Sequence, residues 1–401
     1  MYGERALTVR GVLRDQVLSI VPETLQQAKH IKEICNELQL DLWEPSDVED
    51  VTPGREVHVQ VPSSHLPKLK QNFLQKDILV KVMINDVQKL IDENPVDDGR
   101  SRQKSLSSFD YTKYHSMDEI YKWMDQIKDT HKDLVTLQYL GATYETRPIY
   151  YLKIGLPSDR KKKIFWMDCG IHAREWISVA FCQWFIKEER LWRKSRSPHN
   201  NGTCYGVDLN RNFDGHWCTI GASTVCSSNT YCGPGPASEP EVQAVSQLLS
   251  GLKSDILCFL TMHSYSQLIL FPYGYTTNAS ANHEEMMAVG LNSATEITKL
   301  YGTQYDVGSS STILYSTSGS SQDFAADLGI DLAYTFELRD NGTYGFILPE
   351  EQIRPTCEET TAGILSIVDY INEKHFPNAA NMLSSTLCFY LSFSIIIGTY
   401  Y

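Results

Sequence analysis

Two apolar, strand-like runs that each end close to metal-ligand side chains constrain this chain more than any other feature. The first, Lys163–Asp168, is followed by His172 and Glu175, and the second, Ile256–Met262, is followed directly by His263. Apolar runs of this length that alternate with helical patterns are typical of a parallel sheet in an α/β fold. Because the sites of such folds lie at the carboxyl ends of the strands, we expect the three side chains to meet there.

The residue types at these strand ends are those of a catalytic zinc site. Two imidazoles and one carboxylate are a common ligand set for zinc, and three protein ligands leave a fourth position open for water. Zinc lowers the pKa of such a water to near neutrality and makes it a usable nucleophile. We predict that His172, Glu175 and His263 hold one Zn²⁺. An HxxE pair alone is a weak motif, but a second strand end delivers His263 88 residues after Glu175.

A third strand end supplies a second carboxylate. The apolar run Leu332–Phe336 is followed directly by Glu337, which is therefore a candidate general base for the zinc water. The alternative is that this carboxylate only forms an ion pair with Arg339.

The cysteines and the glycosylation sequons favour an oxidising compartment. Six of the ten cysteines lie between Cys169 and Cys232, and such crowding is typical of disulfide-bonded extracellular proteins. Their spacing is not CxxC-like, so structural zinc is the weaker interpretation. Three N-glycosylation sequons, which begin at Asn201, Asn278 and Asn341, point the same way.

The acidic composition argues against nucleic acid as a partner. The net charge is −13, and the sequence contains no long basic patch. Proteins that bind nucleic acid concentrate Lys and Arg on one face. The one basic run, Lys161–Lys163, is interpreted as a solvent-exposed segment at the start of a strand.

The two ends of the chain give different indications about secretion. Residues 1–16 alternate charged and apolar residues and show no apolar core of a signal peptide. Small residues at 378–380, a polar spacer and an apolar stretch at 387–401 follow the order of a GPI-attachment signal. We therefore expect residues 377–401 to direct a lipid anchor, with a loosely packed apolar terminus as the alternative. The expected location is extracellular, either secreted or anchored at the cell surface.

Residues 17–104 are predicted to form a small α+β domain followed by a linker. Strand-like stretches at 17–21, 57–61 and 78–84 are separated by helical spacing. This order favours an antiparallel sheet with helices on one face. The polar linker offers basic residues to a trypsin-type protease: Arg100, Arg102 and Lys104. A plain solvated linker is the alternative, and the two interpretations are compatible.

Residues 105–376 are predicted to form an α/β domain with a mainly parallel mixed sheet flanked by helices. The patterns predict strands at 149–154, 163–168, 256–262 and 332–336, and helices at 178–193, 239–251 and 360–374.

Four motifs together closely resemble those of the zinc metallocarboxypeptidases of the A/B type. They are His172–Trp176, Gly206–Asn212, His263–Gln267 and Phe336–Asp340. The stretch from Val21 to about Lys104 is similar to the activation segment of that family, and the resemblance covers nearly all of residues 17–375. It implies a monomeric zymogen with the zinc carboxypeptidase fold. A trypsin-type protease would activate it, and it would release single residues from peptide or protein C-termini.

The resemblance also implies roles for individual residues. Glu337 would act as general base on the zinc-activated water and then protonate the leaving amine. Asn210 and Arg211 would grip the terminal carboxylate of the substrate, a geometry that suits a guanidinium fork. Arg193 would stabilise the oxyanion formed on attack. The remaining substrate-binding residues would be Arg174 for the upstream peptide, Tyr265, and Tyr315 as a mobile lid.

Gln322 aligns with the position that sets side-chain preference in this family. An acidic residue there selects basic C-terminal residues, an aliphatic one selects apolar residues, and a basic one favours acidic residues. A neutral amide donates a weaker hydrogen bond than a charged group. We therefore expect a weak preference for acidic or polar C-terminal residues.

The resemblance suggests three disulfides. They are Cys169–Cys182, Cys204–Cys226 and Cys218–Cys232. The cysteine positions alone leave the pairing open, because six cysteines allow many combinations.

One departure from the family pattern is serious. The family has a few dozen more residues between the helix that begins near Ile177 and the position of Arg193, and they include a central sheet strand. Here only 18 positions separate Glu175 from Arg193. We therefore expect either a gap in the sheet or neighbours that pair in a new register, with Arg193 extending a helix. An inactive or misfolded isoform that at most binds zinc or peptide is one alternative. A zinc deacylase is another, against which Asn210 and Arg211 argue.

Overall fold

The computed structural model describes the chain in five stretches. They are residues 14–93, 109–155, 162–182, 193–376 and, as backbone, 387–393. The chain separates into two compact units, Met1–Glu93 and Asn94–Tyr401. The predicted cleavage residues Arg100, Arg102 and Lys104 lie outside the described residues.

The N-terminal unit contains the predicted antiparallel sheet. Its elements are β1 (Gln16–Ile20), α1 (Leu25–Leu38), β2 (Asp41–Glu44), β3 (Val57–Val61), α2 (Leu66–Leu74), β4 (Val80–Ile84) and α3 (Val87–Glu93). The strand order is β2-β3-β1-β4, and β1 pairs antiparallel with both β3 and β4. The sequence patterns missed β2, a four-residue edge strand too short to show a clear alternation.

Helix α1 shows how local sequence builds this unit. The Thr24 side chain accepts a hydrogen bond from the Gln27 backbone N–H and so caps the first turn. Helical spacing then buries Ala28, Ile31, Ile34 and Cys35 in one apolar cluster with the strands. Gln39 adopts a left-handed conformation and ends the helix.

The C-terminal unit contains the predicted α/β sheet. Its helices are α4 (Met117–Thr130), α5 (Trp176–Cys182), α6 (Pro240–Leu252), α7 (His283–Tyr301), α8 (Ser310–Ile313), α9 (Ser321–Asp327) and α10 (Ile353–His375). Its strands are β5 (Val135–Ala142), β6 (Pro148–Ile154), β7 (Lys163–Cys169), β8 (Pro198–His199), β9 (Cys204–Tyr205), β10 (Ile256–Ser264), β11 (Leu268–Phe271), β12 (Asp306–Ser309), β13 (Leu332–Leu338) and β14 (Leu387–Phe393). The eight-stranded sheet has the order β12-β11-β13-β10-β7-β14-β6-β5. Its central strands β13, β10, β7 and β14 run parallel, which confirms a mainly parallel mixed sheet.

Two apolar cores cover the two faces of this sheet. Phe165 and Leu260 join the core that includes α4, α5, α7 and α10, whereas Trp166 and Phe259 join the core that includes α6 and α9. Successive side chains of a strand point to opposite faces, so helices lie on both sides of the sheet. An interior strand covered on both faces needs an unbroken apolar run. Accordingly, β10 is buried at all nine positions.

The predicted gap in the sheet is wrong. β14 comes from the segment predicted to direct a lipid anchor, and it occupies the place between β6 and β7. It pairs in parallel with β7, from Leu387 opposite Lys163 to Phe393 opposite Cys169. It also pairs antiparallel with β6. The two neighbours do not pair with each other in a new register, because each finds a partner in β14.

Arg193 also departs from expectation. α5 ends at Cys182, residues 183–192 lie outside the described residues, and Arg193 itself is not helical. The prediction that Arg193 extends a helix is wrong. Its guanidinium instead bonds to the buried carboxylate of Asp208, with Nε 3.0 Å from Oδ2.

Replacing Ile367 by Ala should lower the free energy of unfolding by about 2–5 kcal/mol, the usual cost of emptying a buried aliphatic site. Ile367 lies on α10 and is fully buried in the core. Chemical denaturation followed by tryptophan fluorescence measures the change.

The matched control is Leu365→Ala on the same helix. Leu365 is 54% exposed, so its loss should change the free energy of unfolding by less than about 0.5 kcal/mol. Equal losses in the two variants would contradict the described orientation of α10.

Candidate metal centre and active site

The carboxyl ends of three neighbouring strands lie level at one edge of the sheet. In the parallel register, Met262 on β10 lies opposite Cys169 on β7, and His263 lies opposite Glu337 on β13. The turn 170–175 continues from β7 and so begins at the same edge. The structure therefore brings together the strand ends that the sequence marked as a site.

A covalently closed turn carries His172 and Glu175. The predicted disulfide Cys169–Cys182 is present, and it joins the last residue of β7 to the last residue of α5. The Glu175 carbonyl accepts hydrogen bonds from the backbone N–H and the hydroxyl of Ser178, at 3.1 and 2.7 Å. Closing a loop of this length stabilises a fold by roughly 3 kcal/mol. Both side chains thus project from a rigid support.

The other two disulfides implied by the resemblance are also present. They are Cys204–Cys226 and Cys218–Cys232. Both tie together the loops that precede α6 and surround the motif Gly206–Asn212.

The three predicted ligands meet around one buried carboxylate. Glu175 Oε1 lies 2.8 Å from Nδ1 of His172, and Oε2 lies 2.9 Å from Nδ1 of His263. One ligand atom from each residue lies within 4.8 Å of the others, and all three residues are buried. The bonds from zinc to nitrogen and oxygen ligands are about 2 Å long. In a tetrahedral site, two ligand atoms therefore lie about 3.3 Å from each other. The donor set and its spacing therefore fit zinc with one position left for water or substrate.

Asp208 is a contact of this cluster that the sequence did not single out. Its Oδ1 lies 2.9 Å from Nε2 of His172, and its Oδ2 accepts from Nε and Nη2 of Arg193 at 3.0 and 2.7 Å. A carboxylate on the outer nitrogen of an imidazole orients the ring and raises its basicity as a ligand. A signal was present, since Asp208 stands between apolar Val207 and Leu209 in one of the four motifs. Only the tertiary structure shows which histidine it reaches.

His263 has outer contacts of its own. Its Nε2 lies 3.2 Å from Oγ1 of Thr261 and 3.5 Å from Nδ2 of Asn210. The Thr261 hydroxyl in turn donates to Asp168 Oδ1 at 2.7 Å. Both imidazoles are therefore held by their outer nitrogens while Nδ1 faces the shared carboxylate.

Opposite charges keep the buried acids of this site ionised. Burial raises the pKa of Glu175, but the charges of the two imidazoles outweigh burial, so its pKa lies below the usual value. Burial also raises the pKa of Asp208, whereas Arg193, His172 and Arg211 lower it and prevail. Burial lowers the pKa of Arg193, and Asp208 more than reverses this. The site is thus a network of mutually stabilised buried charges.

Asn210 and Arg211 lie beside the metal cluster on a short 3₁₀-helix, Leu209–Arg211. The Asn210 side-chain oxygen accepts from the backbone N–H of Ser321 at 2.9 Å. Arg211 Nε donates to the Gly221 carbonyl at 2.8 Å. These bonds hold a buried amide and a buried guanidinium in fixed positions.

Arg174 and Tyr265 share one aromatic partner. The Arg174 guanidinium stacks over the Phe346 ring at 4.2 Å from its centroid, and the Tyr265 ring meets the same ring edge-on at 4.9 Å. Tyr315 lies near Arg193. Burial lowers the pKa of Arg193, and Asp208 and then Tyr315 raise it. Phe346 was not predicted, because a phenylalanine far along the chain carries no local signal of the pair it supports.

Glu337 lies opposite His263 and is half-buried, one position before the end of β13. Arg339, its predicted alternative partner, donates to Glu359 Oε1 at 2.7 Å and to Gln352 Oε1 at 2.6 Å. These acceptors hold the guanidinium towards α10.

Gln322 is buried at the start of α9. Its Nε2 donates to Oγ of Ser310 at 3.0 Å, and its Oε1 has no hydrogen-bond partner among the residues that the structure describes. A turned amide would exchange these roles, because a serine hydroxyl both donates and accepts. In either orientation, one polar atom of the amide has no hydrogen-bond partner among the residues that the structure describes.

Replacing Asp208 by Asn should weaken zinc binding about 10- to 100-fold, the usual cost of losing the outer carboxylate of a metal-bound histidine. Competition with a chromophoric chelator at known free zinc measures this affinity. Asp214→Asn is the matched control, since Asp214 is exposed, and it should bind zinc as the unaltered chain does. Equal affinity in both variants would contradict the role given to Asp208.

Two family models match the chain. A zinc carboxypeptidase model matches residues 120–189 and 186–363, and a carboxypeptidase activation peptide model matches residues 18–94. The two stretches of the first match overlap at residues 186–189.

Curated relatives and solved structures agree with these matches. Carboxypeptidase O of Homo sapiens is 54% identical over 71% of this chain and 86% of that protein. Carboxypeptidase A6 of Homo sapiens is 37% identical over 90% of this chain and 91% of that protein. The crystal structure of thrombin activatable fibrinolysis inhibitor matches with a TM-score of 0.84 at 37% identity, over 89% of this chain and 99% of that one. The chain therefore belongs to the zinc carboxypeptidase family and carries the activation peptide of its zymogens.

Proposed function

We propose that the catalytic unit removes single residues from the C-termini of peptides and proteins, with His172, Glu175 and His263 as its zinc ligands. The observation that carries this proposal is the buried cluster in which one carboxylate lies between two imidazoles. Glu337 stands opposite His263 at the same edge of the sheet. This placement at one edge of the sheet supports the roles proposed for the four residues.

The chain's own residues have separable tasks in the reaction. Zinc, when bound, polarises the scissile carbonyl and lowers the pKa of a water. Glu337 would accept a proton from the attacking water and deliver it to the leaving amine. Arg193 Nη1 lies 3.8 Å from Glu175 Oε1. This closeness to a proposed zinc ligand supports the proposal that its positive charge stabilises the oxyanion formed on attack.

Asn210 and Arg211 would bind the terminal carboxylate of the substrate. A guanidinium and an amide held by backbone contacts are ordered before the substrate arrives, which lowers the entropy cost of binding. Such a clamp at a fixed distance from the zinc selects the last peptide bond. A deacylase substrate without this carboxylate would leave the clamp unused, which argues against that alternative.

The inactive isoform is the less favoured alternative. This alternative rests on the expected loss of a central strand. In the structure, β14 occupies the place of that strand in the sheet. The ligand cluster beside it is assembled. Both observations favour a chain that is competent for catalysis.

We infer that activation requires a cut between the two units. The match to the activation peptide ends at residue 94, and basic residues follow at Arg100, Arg102 and Lys104. A trypsin-type protease cleaves after such residues. Exposed polar linkers are where proteolysis concentrates.

For location, we infer an oxidising, extracellular compartment. Three disulfides in the catalytic unit support this. No helix of the described residues combines the length and apolarity needed to cross a lipid bilayer. A lipid-anchored form would have lost the apolar tail, because a GPI signal is removed on attachment. Such a form stays a prediction, and release from cells by a phosphatidylinositol-specific phospholipase would test it.

For specificity, we infer a preference for polar C-terminal residues. Gln322 presents one amide and no charge to the site, and the other end of that amide bonds to Ser310. Neutral polar and acidic side chains of a substrate can both form a hydrogen bond with this amide. An acidic side chain would gain less binding energy from the amide than from a positively charged residue at the same position.

Replacing Glu337 by Gln should lower kcat/KM about 100- to 10,000-fold, the range for a general acid–base group, with zinc still bound. The assay is release of C-terminal residues from peptides by trypsin-treated protein, beside zinc content. Glu351→Gln, at an exposed position, should keep full activity. Loss of zinc in Glu337→Gln would instead mean that Glu337 supports the metal site.

Replacing Gln322 by Arg should raise the ratio of kcat/KM for a Glu-ended peptide to that for a Gln-ended peptide about 10- to 100-fold. The reason is that a charged donor adds roughly 1.5–3 kcal/mol to a carboxylate contact. Competition between the two peptides in one reaction measures the ratio. Gln243→Arg, exposed on α6, should leave it unchanged. An unchanged ratio in Gln322→Arg would remove this residue from the specificity site.

A further inference from the structure

The sheet of the catalytic unit is completed by a strand from the end of the chain. β14 lies between β7, with which it pairs in parallel over seven positions, and β6, with which it pairs antiparallel over four. It is therefore an interior strand with hydrogen-bonded neighbours on both sides. Its sequence, Leu-Cys-Phe-Tyr-Leu-Ser-Phe, has the nearly continuous apolar character that an interior strand requires.

No other described segment could fill this position. The chain leaves β7 through α5, and residues 193–197 lead to the short pair β8 and β9, which forms a separate sheet. The family match is divided into two parts that overlap at 186–189, within this connection. Without β14, the facing edges of β6 and β7 would expose unpaired backbone N–H and C=O groups in the middle of the unit.

The sequence leaves ten positions, 377–386, between the last described residue after α10 and the start of β14. The strand follows β13 and α10, and both strands run in the same direction, so the three elements form a βαβ unit. Burial, Lys374 and Lys163 lower the pKa of His375, which places the end of α10 near the first residue of β7. Leu387 also pairs with Lys163. The ten residues 377–386 reach up to about 33 Å, ample for this step.

We propose that Leu387–Phe393 is a replacement strand, a retained part of the catalytic unit that fills the slot between β6 and β7 and on which the stability of that unit depends. The occupant of the slot is this segment of the same chain. A chain that had lost its tail to a lipid anchor would lack this strand, so retention of β14 and the lipid-anchored form are mutually exclusive fates of the tail. The inference does not depend on catalytic activity.

The replacement strand also pairs with the end of β7, which leads into the turn of the metal site. Phe393 lies opposite Cys169, the residue at which β7 ends and which precedes His172 by three positions. Loss of β14 would free one side of β7 at the base of the turn that carries two ligands. Zinc affinity is therefore expected to fall together with stability.

The first test uses the full chain, expressed in eukaryotic cells behind an added secretion signal that is cleaved off. Intact mass should show that residues 387–393 remain in the mature protein. Hydrogen exchange followed by mass spectrometry should show that a fragment covering them exchanges at least about 100-fold more slowly than the same sequence as a free peptide. A mature chain that lacks these residues, or exchange as fast as in the free peptide, would overturn the proposal.

The second test compares two proline variants. Leu391 pairs with Met167 on β7 and with Leu152 on β6. Leu391→Pro removes a backbone donor inside the sheet and should lower the midpoint of thermal unfolding by roughly 5–10 °C. Ser385→Pro, six residues earlier and outside β14, should leave the midpoint within about 1 °C. Equal midpoints for both variants and the unaltered chain would overturn the proposal.

A third measurement covers the case in which Leu391→Pro fails to fold. A peptide spanning residues 386–394 is added during refolding to a chain that ends at Phe376. Recovery of soluble, zinc-binding protein with this peptide, and none with a scrambled peptide, is the expected result, because an open slot accepts a matching strand. A truncated chain that folds equally well with no peptide would contradict the replacement role.

Discussion

The carboxylate of Glu175 between two imidazoles is the interaction on which the rest of the site depends. A buried carboxylate without partners is costly, and this one is fully enclosed. Its two oxygens lie within hydrogen-bond distance of His172 and His263, and the network extends through Asp208 to the guanidinium of Arg193. Because each member offsets the burial of the next, the turn after β7, the end of β10 and the 3₁₀-helix must all be in place together. The residues that could bind the metal are therefore brought together only when this unit is folded.

The sheet register is what allows this network to form. His263 lies on the strand face of Phe259 and away from Leu260, since side chains alternate along a strand. A shift of β10 by one residue would turn His263 to the opposite face and separate it from Glu175. The parallel neighbours on both sides of β10 hold this register over its buried length. Strands that carry no ligand therefore contribute to the site because their pairing keeps β10 in register.

The sequence predicted most of the fold and singled out the three residues that the structure brings together, for reasons that are local. Strand and helix periods marked the α/β unit, and His172, Glu175 and His263 each follow an apolar run, a position readable without distant partners. What escaped prediction depends on pairing between distant segments. The apolar stretch Leu387–Phe393 reads equally well as a processing signal or as a strand, and only its neighbours β6 and β7 distinguish the two. The contacts of Asp208 to His172 and of Phe346 to Arg174 are likewise set by tertiary structure.

The disulfide between Cys169 and Cys182 has a consequence for how the zymogen matures. In the reduced chain, the two sulfurs would flank the very turn that carries His172 and Glu175. Thiolates are strong zinc ligands, so a reduced chain would offer the ion a competing, misplaced set of donors. Oxidation removes these competitors and closes the turn in the same step. Correct metal loading is thus expected to follow disulfide formation.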